Sequence, residues 1–262
     1  MTIFIHELKR GRMGLVVWTG AIAFMILLCL FMFPEMKGEM ESVSDVFSSM
    51  GSFTTAFGMD KVSFGEIMGF YGIECGNILG LGGAFFAALL GISSLAGEEK
   101  NRTAEFLLTH PIRRRKVVLE KILAVAAQIF LLNLIIVIVS LLSFAAIGEE
   151  PAMKEFLMLH GAYLLLQLHL AGICFGISAF IRRGSLGIGL GLASVMYFLN
   201  IISNITEKAE FLRYITPFGY ADSADIIATA EIDAVPVLLC TVYAVVFAAV
   251  GILHYCRKDI AA

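Results

Sequence analysis

The stretch ILAVAAQIFLLNLIIVIVSLLSFAAI, residues 122–147, contains no charged side chain, and its only amides are Gln128 and Asn133. It has no period-2 alternation, so it does not read as a half-buried strand. As a helix it would reach roughly 39 Å, more than the ~30 Å hydrocarbon thickness of a bilayer. Five more runs of this kind occur, at 13–33, 72–96, 156–181, 186–203 and 234–255. In hydrocarbon only helices and closed barrels satisfy every backbone N–H and C=O. Continuous apolar runs choose helices, so the fold class is an all-α integral membrane protein with six transmembrane helices, one membrane domain over residues 1–262.

Composition agrees. Of 262 residues 59% are hydrophobic and 16% charged, with a mean hydropathy of +0.87. A soluble domain has about 45–50% apolar and about 25% charged residues. Soluble enzymes, disordered chains and disulfide-stapled domains are poor fits. A net charge of −3 argues against nucleic acid as a partner. Cys29, Cys75, Cys174, Cys240 and Cys256 form no CxxC pair and lie in or at the ends of apolar runs, so they read as small buried hydrophobes. The first run is longer than a signal-peptide core and no A-x-A-like cleavage site follows it, so it reads as a retained helix.

Lys and Arg sort by loop. Lys9, Arg10, Arg12, Lys100, Arg102, Arg113, Arg114, Arg115, Lys116, Lys121, Arg182, Arg183, Arg257 and Lys258 fall on one side, and Lys37, Lys61, Lys154, Lys208 and Arg213 on the other. Fourteen against five places both termini in the cytoplasm. Residues 34–71 and 204–233 are then external. Val43, Val46, Phe47, Met50 and Phe53 recur at helical spacing, which predicts an amphipathic helix near the outer interface; a plain loop is the alternative. Pro217 breaks any helix in the second segment, and residues 221–227 can re-enter as a short helix. Glycine pairs four apart (Gly76/Gly80, Gly172/Gly176, Gly187/Gly191) suit close helix packing.

Sites for chemistry are scarce. No G-x-x-x-x-G-K-[ST] loop occurs, so no nucleotide phosphate is cradled here. Glu98-Glu99 and the F-x-x-x-H of Phe156–His160 approach the motifs of CAAX-type membrane proteases, but the spacing is wrong and the two elements fall at opposite faces. Glu74, Gln128, Asn133, Gln167 and His169 are polar within spans, where interhelical hydrogen bonding explains them better than ion transport.

The informative loop is EEKNRTAEFLLTHPIRRRK, residues 98–116. Asn101 or Thr103 can cap a short helix ending before Pro111. Its apolar knob of Phe106, Leu107 and Leu108, flanked by acids, can insert into a groove of a soluble partner. The same composition suits a helix lying under the bilayer. Arg113, Arg114, Arg115 and Lys116 read as anchors to lipid headgroups.

This loop, with Lys121 after it, resembles the signature loop of permeases of type-2 ATP-binding cassette (ABC) exporters, roughly E-x-x-x-G-T-x-E-x-L-L-x-x-P-[IV]-x-R. Arg102 stands where that pattern has Gly. Residues 212–222, LRYITPFGYAD, resemble the same family's segment before the last span. The resemblance implies a cytoplasmic coupling helix between the second and third spans. Glu98, Glu99, Arg102, Thr103, Glu105, Phe106, Leu107 and Pro111 would contact a separate nucleotide-binding ATPase subunit. It also implies an N-terminal interfacial elbow helix at residues 4–12, and a second permease copy or sibling permease. Two ATPase copies would bind the ATP and Mg; this chain would hold no cofactor. The expected function is the permease of an ATP-driven exporter in the cytoplasmic membrane. A membrane scaffold or sensor that recruits a soluble partner is the alternative reading, with the protease a distant third.

Overall fold

The computed structural model describes residues 2–38, 51–100, 114–181 and 186–257, with the side chains of 98–100 undescribed. The elements among these residues are helical: α1 (Thr2–Lys37), α2 (Ser52–Ala56), α3 (Ile67–Phe70), a π-helical turn (Tyr71–Cys75), α4 (Gly76–Lys100), α5 (Arg114–Ile147), α6 (Met153–Ser178), α7 (Leu186–Ile205), a 3-10 helix (Glu207–Tyr214), α8 (Ser223–Thr229) and α9 (Ala234–Arg257). Six helices are long and apolar enough to cross a membrane, with α3, the π-turn and α4 forming one span.

Helix ends follow from local sequence. Gly148 adopts φ 74° and the Glu149 N–H returns to the Phe144 carbonyl at 3.1 Å. This is the Schellman bond that closes α5 on a residue without a Cβ. Asp222 caps α8 by accepting from the Ala224 and Asp225 N–H groups, and Asp233 accepts from the Val235 N–H at the start of α9. Pro236 falls in the first turn of α9, where its missing N–H costs no ladder bond.

α6 is the most buried of the six spans and packs against α4 and α9; α1 lies along α5. The outer faces of α1, α7 and α9 expose Phe24, Phe31, Val195, Phe198, Val245 and Val250. An apolar girdle of this size suits lipid and is rare on a soluble monomer. Small residues set the close contacts. Gly176 of α6 lies against the Phe247 backbone and Gly251 of α9, Gly172 against Ala244, and Gly76 and Gly80 against Tyr163. On α7, Gly189 packs on Ala88 and Ile92, while Gly191 has nothing within 4 Å in this chain.

Two helices run longer than the apolar stretches that mark them in the sequence. The span expected at 13–33 is one continuous helix, Thr2–Lys37, and residues 4–12, expected as an elbow, form its first turns. At 1.5 Å per residue it is about 54 Å long, so it overshoots a hydrocarbon core by several turns. The third span starts at Arg114, not 122. Of the amphipathic pattern in the first long connection, Val43, Val46, Phe47 and Met50 lie outside the described residues, and Phe53 is exposed on the short α2. A short helix stands where the sequence predicts one at 221–227: α8, which buries Ser223, Ala224 and Ile226. The described cysteines are free; Cys75, Cys174 and Cys240 are buried.

Candidate functional site: the base of the loop between α4 and α5

Residues 101–113 connect α4 to α5 and lie outside the described residues; the structure describes the helix ends on either side of them. Arg102, Thr103, Glu105, Phe106, Leu107, Pro111 and Arg113 lie outside the described residues. Glu98 and Glu99 are in the last turn of α4. Arg114, Arg115 and Lys116 form the first turn of α5, with Arg115 and Lys116 exposed.

Below that turn sits Lys121, 1% exposed. Its ammonium donates to Glu7 Oε1 of α1 at 2.6 Å and to the Ser94 carbonyl of α4 at 3.0 Å. One residue earlier, Glu120 Oε2 accepts the Ile3 and Phe4 N–H groups at 3.0 and 3.1 Å. These are orphan donors of the first turn of α1, and a carboxylate there also complements the helix dipole. Arg114 Nη1 donates to the Tyr255 carbonyl at the end of α9 at 3.5 Å. Both stems of the loop are thus tied to α1, and α5 is also tied to α9. Lys116 and Glu120 are 4.0 Å apart at the surface, a pair of little weight.

Sequence reasoning used Lys121 for topology and for the family pattern, but missed Glu7 and Glu120 as its neighbours. A lysine at the boundary of an apolar run was the available signal. Its partner lies 114 positions away in sequence, beyond any local pattern.

The polar residues inside the spans serve the bundle. Asn133 Nδ2 donates to Gln167 Oε1 across α5 and α6 at 2.6 Å. His169 engages both ring nitrogens, with the Tyr220 hydroxyl at 2.8 Å and Thr241 Oγ1 at 3.0 Å. Gln128 differs from expectation: it donates to the Ala124 carbonyl of its own helix, at 3.3 Å. Glu74 is half-buried in the π-turn. His160 shares a hydrogen bond with the Tyr71 hydroxyl at 2.9 Å, which in turn meets Ser140 Oγ at 2.8 Å. Tyr71 and Glu98 belong to one span, so the helical rise puts His160 roughly 40 Å from Glu98 and Glu99. No metal ion bridges that distance, and a protease centre built on these residues is ruled out.

Six helices long and apolar enough to cross a membrane mark a multi-pass membrane protein. The chain belongs to the ABC-2 family of transporter proteins, whose profile matches residues 1–260. It is therefore an ABC-2 type permease subunit and not itself the ATPase; permeases of this family work with an ATPase partner. No curated protein matches the sequence.

Proposed function

We propose that this permease transmits ATP-driven motion from a separate nucleotide-binding subunit to its bundle, through residues 98–111, and that the complex exports its cargo across the cytoplasmic membrane. On this reading both termini face the cytoplasm. Glu98, Glu99, Arg102, Thr103, Glu105, Phe106, Leu107 and Pro111 seat the loop in a cleft of the ATPase, and Arg113, Arg114, Arg115 and Lys116 hold headgroups beside it. Two permeases, identical or sibling, line one pathway with two ATPase copies, which bind the ATP and Mg.

The observation that carries this reading is the Lys121 contact. A loop rooted where one buried ammonium joins α1, α4 and α5 delivers displacement to three helices together. A loosely tethered loop would dissipate it in local bending. The test is co-purification of a Walker-motif ATPase with the tagged permease, followed by transport-coupled hydrolysis in vesicles. A permease that binds no ATPase but retains another soluble partner would transfer the loop to the recruitment function.

A further inference from the structure

At the end of the bundle opposite Lys121, the connections after α2 and after the 3-10 helix close over α4, α6 and α7. Between them is a small cleft, open at its mouth, with an interior of about 30 Å³. Asp222, Asn77, Asn200, Tyr163, Tyr197 and Phe218 line it.

Two features of that lining are unbalanced. Asp222 makes no salt bridge among the described residues. Its Oδ1 accepts the Ala224 and Asp225 N–H groups at 3.1 and 3.3 Å, and its Oδ2 accepts the amides of Asn204 and Asn200 at 2.9 and 3.5 Å. The nearby cations are committed elsewhere, since Lys61 and Arg213 both pair with Asp225, at 2.7 and 2.9 Å. Burial of the Lys61 ammonium works to lower its pKa. The hydrogen bond and charge of Asp225, with Asp222 and Asp60 behind it, outweigh that and hold the pKa above the ordinary lysine value. The second imbalance is Asn200. It is 8% exposed, and its Oδ1 is buried without a hydrogen-bond partner. Asn77 Oδ1 is only weakly served, by the Tyr197 hydroxyl at 3.3 Å.

A carboxylate without a salt bridge, its oxygens already served by N–H groups, and beside it an orphaned acceptor together favour a small cation that brings charge to the one and an N–H to the other. A buried oxygen left unpaired costs free energy until a donor arrives. The aromatic walls add to this, Tyr197 and Phe218 lying edge to face with centroids 5.3 Å apart. Such rings attract ammonium groups and accept an apolar body. We propose that this cleft binds a primary ammonium group carried on an apolar or aromatic body, with the charge against Asp222 and an N–H on Asn200 Oδ1. Taking the occupant as the cargo rests on the permease function proposed above; occupancy of the cleft does not. A primary ammonium reaches the cleft either on an aminolipid headgroup or on a soluble amine.

The experiment uses the full chain in phosphatidylcholine nanodiscs, titrated calorimetrically with 2-phenylethylammonium. The neutral comparison is 2-phenylethanol and the anionic one is 3-phenylpropanoate. Saturable binding is expected for the ammonium alone, weakened at least tenfold by D222N and severalfold by N200L. Asparagine still caps α8, so D222N removes the charge and keeps the turn. D233N, the same charge change at the start of α9, leaves affinity unchanged. Repeating the titration in discs containing phosphatidylethanolamine separates the sources: a weakened apparent affinity identifies an aminolipid, and an unchanged one a soluble amine. Equal binding of the alcohol or the carboxylate, or wild-type affinity in D222N, overturns the proposal. If D222N does not fold, the selectivity of the wild type among the three probes decides alone. No ATPase is needed for this titration, so its failure is separate from a failure of co-purification.

Discussion

The ammonium of Lys121 and the carboxylate of Glu7 lie 2.6 Å apart, but they are unequally hidden: the lysine side chain is 1% exposed and the glutamate 20%. The two ends of this ion pair therefore have different alternatives when the partner is removed. Glu7 can recover water at the surface. Lys121 is enclosed by the bundle and cannot recover water in the same way.

The inequality predicts an asymmetric pair of mutants. E7A takes a charged partner from the buried ammonium and should cost up to about 3–5 kcal/mol, the scale for breaking a buried pair from one side. K121M replaces the stem with an apolar one and leaves Glu7 to solvent, a loss of about 1.5–3 kcal/mol. The double mutant should be less destabilised than the two losses added, as expected for residues in contact. Thermal unfolding in detergent can be followed with a thiol-reactive dye, because Cys75, Cys174 and Cys240 are buried until the bundle opens. Equal losses for E7A and K121M would show that the pair is not buried as described.

Glycine contacts give a prediction of opposite signs. A Cβ at Gly176 would run into the Phe247 backbone on α9, which cannot swing aside as a side chain can. G176A should therefore cost about 1–3 kcal/mol through overpacking. At Gly191 nothing lies within 4 Å, so G191A should gain part of the roughly 0.5–1 kcal/mol that alanine holds over glycine in a helix. The same dye assay reads both, and a lowered melting temperature for G191A would contradict the packing of α7.

How much of this was legible in the sequence depends on the range of the forces involved. The six spans were, because lipid imposes a continuous apolar run on each helix regardless of its neighbours. Their ends were less so. α5 begins at Arg114 because a helix, once nucleated, continues through the basic residues that hydropathy excludes. α1 likewise absorbs residues 4–12, since Gly11 and Gly14 weaken a helix without ending it. Partner choice was not legible. Gln128 and Asn133 are both amides in one apolar run, yet Asn133 hydrogen-bonds across to Gln167 while Gln128 bonds within its own helix and packs against Gly11 of α1. The rotation of α5 against α6 decides that, and no local pattern encodes it. The family resemblance was carried by the motif at 98–116, while Glu7 and Glu120, which tie the helix ends beside it, are ordinary glutamates until α1 lies against α5.

Charge distribution predicts the orientation. With fourteen basic residues in one set of loops against five in the other, both ends of the chain should stay in the cytoplasm. A C-terminal green fluorescent protein fusion should fluoresce and an alkaline phosphatase fusion should be inactive, with the reverse at residue 150. Neutralising Arg113, Arg114, Arg115 and Lys116 together should disturb insertion or assembly more than ATP turnover, because each near-surface cation contributes about 1 kcal/mol of headgroup attraction. Normal insertion with lost turnover would instead place these residues in the ATPase contact.

The coupling proposal is most exposed at Phe106. If the loop seats in a cleft, Phe106 and Leu107 together supply its apolar contact, about 2–3 kcal/mol each when fully buried. F106D replaces that gain with the cost of burying a carboxylate beside Glu105, and at about 1.4 kcal/mol per tenfold the ATPase should bind at least tenfold more weakly. F106L keeps the apolar volume and should retain both binding and transport. On this reading the bundle itself should be unaffected, and the melting temperature of F106D should match the wild type. A bundle that melts normally while the complex falls apart locates the defect at the junction between subunits. Wild-type transport and normal ATPase co-purification in F106D would instead mean that motion enters the bundle by another route.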